Sequence, residues 1–200
     1  MPEGPEIETK ELQETIDEIR EERADEERER AWTRWVSLST ALLAVIAAIA
    51  ALRSGTFVNE ALMKKNESVL MQAQASDQWS YYQAKGVKRN GAQQTADLMS
   101  ANPALAHLAG KYAAAAEQYR KDQDGIASAA KKLEAERDEA GKQADALLER
   151  HHSFAFCVTF TQVAIALSAI AALTRRKPVW HLSLLVGVAG MVWFGDGLLR

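Results

Sequence analysis

Residues 105–147 read LAHLAGKYAAAAEQYRKDQDGIASAAKKLEAERDEAGKQADAL, and this stretch decides the fold. Leu105, Tyr112, Tyr119, Ile126, Leu133, Ala140 and Leu147 recur every seven residues without a skip. A second line, Ala109, Ala116, Gln123, Ala130, Arg137 and Ala144, follows four residues behind. A strict seven-residue repeat marks a left-handed supercoil, because about 3.5 residues per turn keeps one seam turned toward a partner helix. Large residues on one line and mostly alanine on the other predict a closely spaced antiparallel pair. Gln123 and Arg137 interrupt the seam, so it is not a strong autonomous zipper.

The partner arm should lie upstream, across the turn signal Asn102-Pro103. Its best apolar stripe is Val58, Leu62, Val69, Ala73, Trp79, Tyr82 and Val87. Folding the chain about residue 101 predicts partners whose numbers sum to about 202. Val69 then meets Leu133, Val87 meets Ala115, Leu98 meets Leu105, and Trp79 and Tyr82 lie beside Tyr119. Pro103 suits the first turn of the return helix, with Asn102 or Ser100 as its cap.

Apolar runs flank this polar hairpin. Residues 35–52, 154–173 and 179–195 contain no Asp, Glu, Lys or Arg. About 20 apolar residues in a helix cross a hydrocarbon layer of about 30 Å. Trp32, Trp35, Trp180 and Trp193 fall near the ends of the runs, as an aromatic belt requires. Ala164, Ser168 and Ala172 form one stripe of small residues. Ser183, Gly187 and Gly190 form a second, and Ala44–Ala48 and Ala47–Ala51 add two pairs in the first run. Such stripes let helices approach closely in lipid. Arg175, Arg176 and Lys177 in the tight loop, together with Arg20, Arg23, Arg28, Arg30 and Arg34, place the N-terminus in the cytoplasm and the hairpin outside.

Charge is segregated along the chain. Residues 1–30 hold 13 acidic and 5 basic side chains, a net of −8, within a chain total of −3. Ile7, Leu12, Ile16 and Ile19 give this acidic segment a thin apolar stripe, so it reads as a solvated tail or as an amphipathic helix. The single cysteine, Cys157, allows no intrachain disulfide. No zinc motif, phosphate loop or nucleophile elbow occurs. No catalytic residue, metal ligand or cofactor site is assigned, and an enzyme is the least supported class. His151-His152 is a weak metal candidate, since adjacent helical residues point apart.

The most distinctive segment is Ser76-Asp77-Gln78-Trp79-Ser80-Tyr81-Tyr82-Gln83-Ala84-Lys85. Trp79, Tyr81, Tyr82, Lys85 and Tyr119 are a partner patch, with exposed aromatics as anchors, or a packing knot inside the hairpin. Tyr81 is the better surface candidate. Gln162, Ser168 and Asp196 are candidate polar contacts within the apolar helices, and also candidates for the lining of a pore together with Thr159.

Arg34-Trp35-Val36-Ser37 leading into residues 41–52, then Ser54-Gly55, Asn59-Glu60-Ala61-Leu62 and the 75–85 segment, resemble the bacterial membrane proteins called domain of unknown function 4337. The resemblance is specific in the first half of the chain and rests on layout in the rest. It implies a bacterial membrane protein of unassigned function and carries over no catalytic residues.

The expected architecture is an all-α membrane protein with an acidic N-terminal helix at 1–31. Transmembrane helices follow at 32–53, 153–174 and 179–199, and an antiparallel coiled-coil hairpin spans 54–152 with its turn near 100–103. The expected role is a non-enzymatic scaffold of the bacterial inner membrane that assembles into a homo-oligomer. Its partners are the lipid bilayer and a protein met through the hairpin or the acidic helix; nucleic acid is not expected. A pore-forming or transport subunit and a membrane sensor or adaptor are the alternatives.

Overall fold

A computed structural model describes residues 5–199, with side chains from residue 12 onward. Ile7 of the acidic stripe therefore lies outside the described side chains. The described residues form three helices: α1 (Pro5–Ser100), α2 (Ala106–Thr174) and α3 (Lys177–Leu199). The protein is all-α, with no strand among the described residues. From Pro5 the acidic segment continues into the first apolar run within the one helix, α1; residues 1–4 lie outside the described residues. Each helix contains a window long and apolar enough to cross a membrane by length and composition.

The chain divides into two compact units. Unit 2, residues 56–149, is an antiparallel pair formed by the second half of α1 and the first part of α2. Both expected lines of α2 face inward. Ala116, Gln123, Ala130, Ala140 and Ala144 are buried, and Tyr112, Tyr119, Ile126, Leu133 and Leu147 are half-buried. Leu105 is the exception: it precedes α2 and is exposed, so the seam begins one heptad later.

The outgoing arm differs from expectation. Ala61, Ala75 and Ala96 are its buried residues in unit 2, with Ser68 and Tyr82 half-buried on the same seven-residue line. Leu62, Val69, Ala73, Val87 and Leu98 point outward, and Val69 is 63% exposed. Facing lines of alanine let two helix backbones approach closely, and bulky side chains between them would hold the backbones apart. Small residues therefore take the seam and the large ones its flanks.

The register moves as well. Trp79 with Glu134, Lys85 with Asp122, Tyr82 with Gln123 and Gln72 with Arg137 are hydrogen-bonded across the pair. Their numbers sum to between 205 and 213, not to 202. The fold axis consequently lies beyond residue 101, and Val69 does not meet Leu133. The reason is the length of the turn. Residues 101–105 are non-helical, and the Asn102 carboxamide oxygen accepts the Ala104 N–H at 3.1 Å. The Asn102 carbonyl accepts the Leu105 N–H at 2.9 Å. Pro103 sits inside this turn and is not part of α2. Ser100 caps no helix start; its hydroxyl donates to the Asp97 carbonyl.

Unit 1, residues 1–55 and 150–200, packs the first part of α1, the end of α2 and α3 together. Its interior is Val36, Leu43, Ala47, Ala50, Phe154, Cys157, Thr161, Ala164, Ser168, Ala171, Ser183, Gly187, Gly190 and Gly197. Of the expected small-residue stripes, Ala164–Ser168 and Ser183–Gly187–Gly190 face inward. Ala172 is exposed and Ala171 takes its place; in α1, Ala47 is buried while Ala44, Ala48 and Ala51 are not. A Cβ on Gly187 would stand 2.8 Å from Leu43 Cδ2, so the glycine is what admits the α1 side chain.

The α2–α3 turn is a Schellman-type stop. Arg175 adopts φ 53°, and the Arg176 N–H reaches back to the Ala171 carbonyl at 3.3 Å. Pro178 then occupies the first turn of α3, where its missing N–H has no cost.

Candidate functional site

Unit 2 concentrates its unusual side chains around Lys85. The Lys85 ammonium donates to Asp122 Oδ2 at 2.7 Å. It also stands 5.5 Å from the Tyr81 ring centroid and 5.3 Å from that of Tyr119. A cation over aromatic faces is attracted by their quadrupoles. Gln118 donates to the other oxygen of Asp122 at 2.9 Å. The Asp122 carboxyl is held below its ordinary range by the Lys85 hydrogen bond first and the Gln118 bond second. Lys85 is raised, chiefly by that same bond to Asp122, against a smaller opposing effect of desolvation.

One helical turn earlier, Trp79 and Tyr82 meet edge to face with centroids 5.5 Å apart. The Trp79 indole N–H donates to Glu134 at 2.8 Å. Gln123, in the seam, donates to the Tyr82 carbonyl at 3.1 Å, while its Oε1 is buried with no partner. The candidate residues Trp79, Tyr81, Tyr82, Lys85 and Tyr119 thus gather in one neighbourhood, with Tyr119 entering through Lys85. Trp79, Tyr82 and Lys85 are engaged by the opposite arm. Tyr81, at 52% exposure, presents the most surface of the five. The partners Asp122, Glu134 and Gln118 were missed from sequence because they lie off the heptad lines, and only the shifted register brings them opposite.

In unit 1 the three candidate polar residues separate. Ser168 and Ser183 are both fully buried with hydroxyl oxygens 2.8 Å apart. Ser183 also donates to the Trp180 carbonyl at 2.9 Å, which leaves Ser168 as the donor between the two. Asp196 accepts from the Ser153 hydroxyl at 2.7 Å. Gln162 is exposed on the outer face of α2, as is Thr159, whose hydroxyl returns to the Ala155 carbonyl.

His151 lies 2.9 Å from Ser54 Oγ and 3.0 Å from Ser54 O through Nδ1. An Nδ1-protonated ring donates to both oxygens at once. His152, its neighbour, is exposed. Trp180 donates to Ser39 at 3.2 Å, and Arg175 pairs with Glu29 at 3.1 Å. No group of three or more metal-ligating side chains occurs among the described residues.

Residues 32–200 match the family described as domain of unknown function (DUF4337). The chain belongs to this family. The match begins at Trp32, so it takes in the whole Lys85 neighbourhood and the interior of unit 1, and leaves the acidic segment outside. No curated protein and no solved structure matches the chain.

Proposed function

We propose that unit 1 is a three-helix membrane anchor and that unit 2 is a hairpin carried outside the bilayer. The protein is then a non-enzymatic scaffold that assembles with copies of itself and offers the hairpin to a partner. The observation that carries this reading is the inverted packing of unit 1. Beside Val36, Leu43 and Phe154 its interior is mostly alanine, glycine and the hydroxyl residues Ser153, Thr161, Ser168 and Ser183, while Leu38, Leu42, Val45, Ile49, Val163, Ile170, Leu185, Val188 and Val192 face outward. In water, soluble proteins bury such large side chains. In lipid they are the solvated surface, and helices associate through small and hydroxyl residues.

The acidic first part of α1 and the Arg-rich 174–178 turn belong on the cytoplasmic side of a bacterial inner membrane. Lys85, Asp122 and the aromatics around them serve to hold the hairpin in one register, leaving Tyr81 as the outward-facing ring. Ser168 bonds to Ser183 and Asp196 to Ser153, contacts that support a packed anchor.

Reconstitution into phosphatidylcholine vesicles tests the anchor. The chain should float with the vesicles, resist alkaline carbonate and leave protease-protected fragments covering residues 35–52 and 154–195. Release by carbonate overturns the anchor. Mass measurement in nanodiscs tests assembly, and a monomer at all concentrations overturns it.

A further inference from the structure

We propose that the cleft between the α1 segment at residues 26–38 and the α2–α3 turn binds the headgroup of an anionic phospholipid. The proposal rests on the membrane reading of unit 1. The cleft has a volume of about 1030 Å³ and is bordered by Glu29, Arg30, Trp32, Arg34, Leu38 and Arg175. Arg34 and Leu38 also border a smaller groove of about 300 Å³ with Ala31 and Trp35. Arg34 and Leu38 thus border both grooves, a guanidinium and an apolar side chain side by side, as a charged headgroup with attached acyl chains requires.

Three observations point to an anion there. The first is charge. Arg30 is paired with Glu26 and Arg175 with Glu29, while Arg34 has no acidic partner among the described residues. The lining carries three guanidinium groups against two carboxylates, so one positive charge is in excess. The second is an orphan donor. The Trp32 indole Nε1–H is buried without a hydrogen-bond partner, and Trp32 lines the same cleft. A buried unmatched N–H is costly, and a small turn of the indole as a headgroup enters the cleft would bring it onto a phosphate or glycerol oxygen.

The third is the backbone of Arg175. It adopts φ 53° at the position after α2 where glycine is cheapest. A non-glycine residue is strained in this region, and such outliers cluster at ligand clamps. The side chain kept at that cost is a guanidinium lining the cleft. Arginine suits phosphate because its fork donates two parallel hydrogen bonds. Basic pockets between membrane helices are where anionic headgroups bind.

The test uses the full chain, labelled with ¹⁵N at its tryptophan indoles, in nanodiscs of phosphatidylcholine with an increasing share of phosphatidylglycerol. Trp32→Phe assigns the Trp32 signal. That signal should shift saturably with phosphatidylglycerol, and Arg34→Gln or Arg175→Gly should each raise the half-saturating share by roughly fivefold. Arg175→Gly keeps the turn, so its thermal stability should equal or exceed the parent's. Equal Trp32 signals in both lipids, or unchanged titrations in the two variants, would overturn the site. So would inorganic phosphate reproducing the shift in pure phosphatidylcholine discs. A chain that does not remain in phosphatidylcholine discs overturns the membrane reading itself, and that outcome is distinct from the others.

Discussion

Ser168 Oγ lies 2.8 Å from Ser183 Oγ, and neither residue has any exposed surface. Because Ser183 keeps its bond to the Trp180 carbonyl, Ser168→Ala orphans no donor. It should cost about 0.5–1 kcal/mol, the usual worth of one interhelical hydrogen bond. Ser168→Leu must overpack the α2–α3 contact and should cost about 1–3 kcal/mol. Denaturant titration of the detergent-solubilised chain measures both; equal effects would mean that α2 and α3 are not packed at Ser168.

The interior glycines should differ in tolerance. A Cβ on Gly187 meets the mobile end of Leu43, whereas a Cβ on Gly197 meets three atoms of the Phe154 ring at 2.8–3.0 Å. A leucine tip can rotate away and a packed ring cannot. Gly187→Ala should therefore lower Tm less than Gly197→Ala, and Phe154→Leu should recover part of the second loss. Non-additivity in this double-mutant cycle is the expected signature of direct contact.

The hairpin register predicts which cysteines join. A Cβ on Gly141 would lie 3.8 Å from Ser68 Oγ. In a Cys157→Ala background, Ser68→Cys with Gly141→Cys should oxidise readily, because a sulfur in place of Ser68 Oγ would stand within bonding reach of one attached to that Cβ. Val69→Cys with Leu133→Cys should not, since Val69 points outward. Gel mobility after mild oxidation decides between the two registers.

The Lys85–Asp122 pair predicts a pH window. The folded state lowers Asp122 below its ordinary value near 3.8, so its contribution is whole above that value and is lost as pH falls through the folded one. Lys85 is raised above 10.5, so its contribution is whole below 10.5 and is lost as pH rises through the higher folded value. The pair thus supports the hairpin from about pH 4 to about pH 10. Asp122→Asn should lower Tm by a few degrees at most at neutral pH, because the pair is partly solvated. The difference from the parent should vanish as the solution is acidified below pH 4, as followed by far-UV circular dichroism.

Much of this architecture was legible in the chain. The helical class, the three apolar helices and the inward lines of α2 follow from periodicity and composition, because a seven-residue spacing permits only one face to be buried. The aromatic and lysine cluster was also visible, since Trp79, Tyr81, Tyr82 and Lys85 share one short segment of one helix. The outgoing face was misread for a physical reason. Sequence weighs hydrophobicity, and Leu62, Val69 and Val87 are more hydrophobic than Ala61, Ser68 and Ala75. Close packing weighs volume, and it chose the small residues.

What the sequence determined by itself is local: which segments are helical, where the chain turns, and which residues repeat in phase. What only the tertiary structure decided is relational: the Asp122 that holds Lys85, the Ser183 opposite Ser168, and the Arg175 that meets Glu29. Periodicity fixes the angle of a residue around its own helix. It does not fix the axial slide of one helix along another, which five residues of turn and the volumes in the seam set together.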